Sequence, residues 1–171
     1  MFWDAVGALG TWAAVLVALF LPRFERRRQL HVSVKLDRCL SQMFGPGPEC
    51  LRIIDATVSN VGVSDVVVAN WGFVVEGYDE LFLRPICKNP VYAEQLCPSL
   101  PKRLVPGDIL SCGVEKTVLG KLLQKQLSDG VIQSDDFLYV GFVDSLGKKY
   151  KRALGWTVQE CIDDAGLKVK V

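Results

Sequence analysis

One histidine, His31, stands in a chain of 171 residues, beside only two methionines. A serine or cysteine hydrolase needs a general base next to its nucleophile, so with a single imidazole that chemistry has almost nowhere to assemble. His31 itself falls in an alternating stretch and reads as an outward-facing strand residue. A phosphate-cradling loop is missing as well, because Gly45 and Gly47 alternate with prolines and no lysine follows. None of the six cysteines stands in a C-x-x-C pair or close to His31, which argues against structural zinc. Asp135-Asp136 follows a polar turn, and Asp163-Asp164 ends a helical stretch where the dipole does not favour carboxylates. The formal net charge is +1, so no global basic field invites nucleic acid. No low-complexity segment and no solenoid repeat occurs. These absences point to a protein that is not an enzyme, with no cofactor, no metal and no nucleic-acid partner.

A long hydrophobic run, in contrast, is present. Met1 to Leu21 is nearly unbroken, with Asp4 its only charge, and Pro22, Arg23, Arg26, Arg27 and Arg28 follow at once. Counted from Phe2 or Ala5 the run amounts to roughly 17–20 residues, or about 26–30 Å of helix, enough to cross a hydrocarbon core. A cleaved signal peptide would carry its positive charges before the run and small residues at its end, and both features are reversed here. A buried helix of a soluble fold would need a larger partner surface than the rest of the chain offers. The sequence therefore predicts a transmembrane helix over 1–22, a basic linker over 23–29 and a single domain over 30–171.

Basic residues beside a span stay on the cytoplasmic side, which predicts an outside amino terminus and a cytoplasmic domain. Trp3 serves as an interfacial aromatic anchor, and Asp4 sits where the helix dipole and interfacial water tolerate a carboxylate. Gly10, Ala14 and Ala18 recur every fourth residue, the spacing that lets two helices approach closely in lipid. That stripe suggests self-association, or pairing with a partner's span.

Beyond the arginines continuous apolarity gives way to alternation. Leu30, Val32, Val34 and Leu36 share one face of a strand; Cys50–Ser59 and Val66–Glu76 are two more, with Gly72 a candidate bulge. Glu80–Arg84 adds a short strand, and residues 85 to 103, with four prolines, read as an irregular excursion. Ile109–Val114 precedes an amphipathic helix over Lys116–Leu127, with Val118, Leu119, Leu122, Leu123 and Leu127 inward and Lys116, Lys121 and Lys125 toward water. Phe137–Asp144 and Lys149–Trp156 flank the turn Ser145-Leu146-Gly147-Lys148, and Thr157 with Glu160 forms a capping box for a last short helix. Seven or so short strands with tight turns favour an antiparallel sandwich. In a cytoplasmic domain Cys39, Cys50, Cys87, Cys97, Cys112 and Cys161 are expected to be reduced thiols. Cys87 and Cys97 are the pair to test if the topology is inverted.

The ordered set Trp3-Asp4-Ala5, a basic flank, Thr57-Val58-Ser59-Asn60-Val61-Gly62, Trp71-Gly72-Phe73, Leu104-Val105-Pro106-Gly107-Asp108 and Phe142-Val143-Asp144-Ser145-Leu146-Gly147-Lys148 resembles a loose group of small bacterial membrane-anchored proteins. The resemblance implies a mainly β fold: an N-terminal transmembrane helix, then an antiparallel immunoglobulin-like β-sandwich with one inserted amphipathic helix and a short C-terminal helix. It implies no catalytic residues.

Two functions are expected on this basis. One is a membrane-tethered, non-catalytic protein-interaction module, in which an edge strand or the 85 to 103 loop meets an unknown protein partner. The other is an oligomeric membrane assembly driven by the Gly10, Ala14, Ala18 face, with the β domain as regulator. A small-ligand pocket between the sheets is a third reading. Membrane lipid is an expected partner in both principal readings, through the Arg23 to Arg28 cluster.

Overall fold

A computed structural model describes residues 10–20, 29–41, 50–83, 96 and 98–166. Residues 10–20 form a helix, α1, with every residue exposed. These eleven residues rise about 16 Å, roughly half a hydrocarbon core. Among the described residues no helix is long and apolar enough to cross a membrane. The transmembrane helix expected over 1–22 is corrected accordingly: an apolar count measures preference for lipid, and the described helix is shorter than a span requires. Residues 1–9 and 21–28, with Trp3, Arg23, Arg26, Arg27 and Arg28, lie outside the described residues.

The body is mainly β. Strands β1 (Leu30–Ser41), β2 (Cys50–Asn60), β3 (Val66–Val75), β4 (Tyr78–Leu83), β5 (Lys102–Leu104) and β6 (Ile109–Glu115) precede helix α2 (Lys116–Ser128). Strands β7 (Phe137–Asp144) and β8 (Lys149–Thr157) and helix α3 (Val158–Asp164) follow. One antiparallel sheet has the order β1-β2-β6, the other β4-β3-β7-β8, with β5 also on β3. Inward residues of both sheets, among them Val32, Ile54, Ala56, Val58, Trp71, Phe73, Leu110, Val140 and Phe142, join one core. At its centre the Trp71 ring meets Phe73 edge-on at 6.0 Å and stacks with Phe142 at 6.2 Å, geometries favoured by the ring quadrupole.

Alternation placed most strands correctly because each sheet buries one face. It fails in β1 after Leu36, where a strict period of two would drive Arg38 into the core. The register slips instead, with Lys35 opposite Asp55 and Arg38 opposite Ile53. This bulge moves Arg38 to the outer face, where its guanidinium donates to Asp55 at 2.7 Å. The slip in β3 falls between Val68 and Asn70, while Gly72 pairs regularly with Gly141. The bulge expected at Gly72 is thus displaced toward Asn70, whose side-chain oxygen accepts the Trp71 N–H at 2.9 Å.

One end of the body is closed by turns. Asn60 is buried; its amide donates to the carbonyls of Ser64 and Leu104, at 2.9 and 3.0 Å, and accepts the Gly62 N–H at 3.1 Å. Asp144 is also buried and accepts the N–H groups of Leu146 and Lys148, both at 2.9 Å. At the opposite end α2 and α3 pack together. The Thr157–Glu160 capping box is present in both directions, a device of about 1 kcal/mol.

Candidate functional site

Strands β1 and β8 end the described orders of their two sheets and face each other across the seam of the body. A cleft of about 210 Å³ opens there, lined by His31, Val32, Ser33, Val34, Leu36, Arg152, Ala153 and Leu154. Val32 and Leu154 are buried and Val34 and Leu36 half-buried, so they make an apolar floor, while His31, Ser33 and Arg152 are exposed on its rim. Alternation explains the division: the inward residues of β1 supply the floor and the intervening ones the rim. Edge strands carry backbone donors and acceptors available to another strand. Cationic Arg152 on the rim favours an acidic occupant.

A second cluster lies at the helical end. The sequence places Lys116 toward water, but its side chain is only 3% exposed. Its ammonium donates to Asp37 and, at 2.7 Å, to Asp164, and lies 4.8 Å from the centre of the Trp156 ring. Arg52 donates to Asp37 at 3.0 Å and to Asp164 at 3.1 Å. Hydrogen bonds from Lys116 and then Arg52 hold the Asp37 carboxyl below its usual range, and the hydrogen bond to Asp37 raises the Arg52 guanidinium. Nearby Cys161 is pushed up to about 12, mainly by burial and further by Asp164, against the opposing pull of Lys116. A thiol that remains protonated is a poor nucleophile. The cluster joins β1, β2, α2 and α3, and its atoms satisfy one another. Among the described residues no buried side-chain nitrogen or oxygen lacks a hydrogen-bond partner, and no group of three metal-ligating residues occurs.

The structure sorts the other expected residues. Gly10, Ala14 and Ala18 lie on exposed α1. Cys87 lies outside the described residues, as does Cys97, together with most of the 85 to 103 excursion. Its Leu96 is buried against Gly113 and near Ile53, on the outer face of the β1-β2-β6 sheet. At Leu96, then, the described chain lies against the sheet. The expected set of six reduced thiols is corrected at Cys39, which is disulfide-bonded, whereas Cys112 and Cys161 are buried thiols. Sequence reasoning missed the roles of Asp37, Arg38, Arg52 and Lys116. A signal existed for one of them, since Arg38 occupies the fifth place of an otherwise apolar alternation.

No known family matches the sequence, and no curated protein does. Among solved structures, one described as "X-ray structure of Northeast Structural Genomics Consortium target SoR45" is similar over 72% of this chain and 80% of that chain. The identity is 12% and the TM-score 0.29, a likeness that carries no argument about this protein.

Proposed function

We propose that this protein is a non-catalytic binding module that takes an extended, acidic segment of a partner protein along the β1–β8 seam. The observation that carries the reading is the cleft itself: an apolar floor, a rim with His31 and Arg152, and two sheet-terminal strands facing one another. Strand addition supplies affinity through backbone hydrogen bonds, and alternate side chains supply specificity. The strand orders support an immunoglobulin-like reading, with β1-β2-β6 in the places of strands A, B and E and β4-β3-β7-β8 in those of C′, C, F and G. The other expectation, an assembly driven by a membrane-spanning helix, is not carried forward, because among the described residues no helix is long and apolar enough to cross a membrane.

Peptides selected from a random library on the full-length protein test this reading. Arg152→Glu combined with Ser33→Glu should weaken them by roughly tenfold or more, while Gln133→Arg at the far end leaves them unchanged. A library that yields no binder sensitive to the seam substitutions rejects the proposal.

A further inference from the structure

Among the described residues of the body, most exposed large hydrophobics collect at one end. Val61 is 59% exposed, Val63 65%, Ile109 62% and Leu146 73%, with Val105 close behind. They belong to three turns locked into one platform. Asn60 donates its N–H to Asp108 and accepts that of Gly107; Ser145 donates to Val67, beside the β2–β3 turn; and β5, paired with β3, runs into the Val105 turn.

The acidic side chains of this platform are committed within it. Asp65 receives Arg103, Asp108 accepts the Val105 N–H, and buried Asp144 accepts the Leu146 and Lys148 N–H groups. Lys102, Lys148 and Lys149 remain on the exposed surface beside the apolar tips. The Lys148 ammonium stands 4.9 Å from the centre of the Tyr150 ring.

The chain also enters the body here. The N–H groups of Val61 and Gly62 both donate to the Gln29 carbonyl, at 3.0 and 3.2 Å. Arg26, Arg27 and Arg28 immediately precede Gln29 in the sequence.

We propose that this end of the β body, with Val61, Val63, Val105 and Leu146 leading, seats on the surface of an anionic lipid bilayer. Apolar tips beside exposed lysines, with the acidic groups bonded to partners within the platform, match a hydrocarbon boundary under negative headgroups. A bilayer surface takes tips from three separate turns without needing a matching shape, which a protein partner would need. The contact is peripheral and needs no spanning helix. It also leaves the β1–β8 seam at the side of the body, so the two proposals stand or fall separately.

The test uses full-length protein with a small fluorescent residue installed singly at Val63, Leu146 or Phe137. It is bound to vesicles carrying acyl-chain quenchers, of phosphatidylcholine alone or mixed with phosphatidylglycerol. Phe137, 49% exposed at the opposite end, is the internal reference. Quenching should be strong at Val63 and Leu146 in the mixed vesicles and absent at Phe137. Lys102→Glu with Lys148→Glu should raise the lipid concentration it requires by about thirtyfold or more. Equal quenching at both ends, or none at Val63 and Leu146, overturns the proposal, as does quenching that ignores phosphatidylglycerol and the lysine substitutions. Because all labelled positions are exposed, a signal lost through misfolding is recognised by the thermal transition of each labelled protein.

Discussion

The Lys116 ammonium lies 2.7 Å from a carboxylate oxygen of Asp164, joining the first turn of α2 to the last of α3 across 48 positions of sequence. Removing one side of such a pair exposes the cost of burying the other. Asp164→Asn leaves a buried cation with only exposed Asp37 and Trp156, and should lower stability by about 2 kcal/mol. Lys116→Met keeps the apolar stem over Trp156 and should cost less. Urea denaturation of the two variants gives the order directly.

Leu96 and Gly113 form a second coupled pair. A methyl group on Gly113 would stand 2.5 Å from Leu96 Cδ2. Leu96→Ala should cost about 2–3 kcal/mol through the cavity it leaves, and Gly113→Ala about 1 kcal/mol through crowding. Together they should cost less than the sum by about 1 kcal/mol, since the new methyl occupies the vacated space. Strict additivity in a double-mutant cycle would show that the two do not touch.

Asn60 closes the platform end with three hydrogen bonds. Asn60→Ala should lose roughly 2–3 kcal/mol, because the Leu104 carbonyl is left without its partner. Asn60→Asp should be worse at neutral pH, where a carboxylate faces two carbonyl oxygens, and should recover in acid. Thermal melts at both pH values separate the charge effect from the shape effect.

Stability should fall at both extremes of pH for identifiable reasons. The Asp37 pKa is lowered on folding, so its contribution is present above the unfolded value of 3.8 and is lost as pH falls through the lower folded value. Asp37→Asn should flatten that acid limb. Cys161 moves from 9.0 to about 12, so the unfolded chain loses its proton first and stability declines as pH rises through that interval. Cys161→Ser should remove this alkaline component. Native protein should resist alkylation at Cys161 until it is unfolded.

Disulfide mapping without reductant should recover Cys39 in a crosslinked peptide and Cys112 and Cys161 as thiols. Such a pattern in protein taken directly from its native source would point to maturation in an oxidising compartment. Recovery of Cys39 as a thiol from protein isolated under acid quench would remove that argument.

Most strand positions, the α2 and α3 boundaries and the Thr157–Glu160 cap were legible in the residues, because each follows from local rules: one face buried, a period of two or 3.6, a cap three residues ahead of its partner. Asn60 and Asp144 were readable as turns for the same reason. Strand β5 (Lys102–Leu104), inside the stretch read as an irregular excursion, and the end of β1 beyond Leu36 were not legible. The tertiary structure alone decided which charges meet. Lys116 looks solvent-facing on a helix considered by itself and becomes buried only when Trp156, Asp37 and Asp164 arrive from three other elements. The candidate seam was equally illegible, since a period of two tells which residues of β1 point inward but not that β8 will close beside it. Local periodicity determines what each segment buries. Which neighbour it is buried against depends on contacts between residues far apart in the chain, and those form only in the assembled fold.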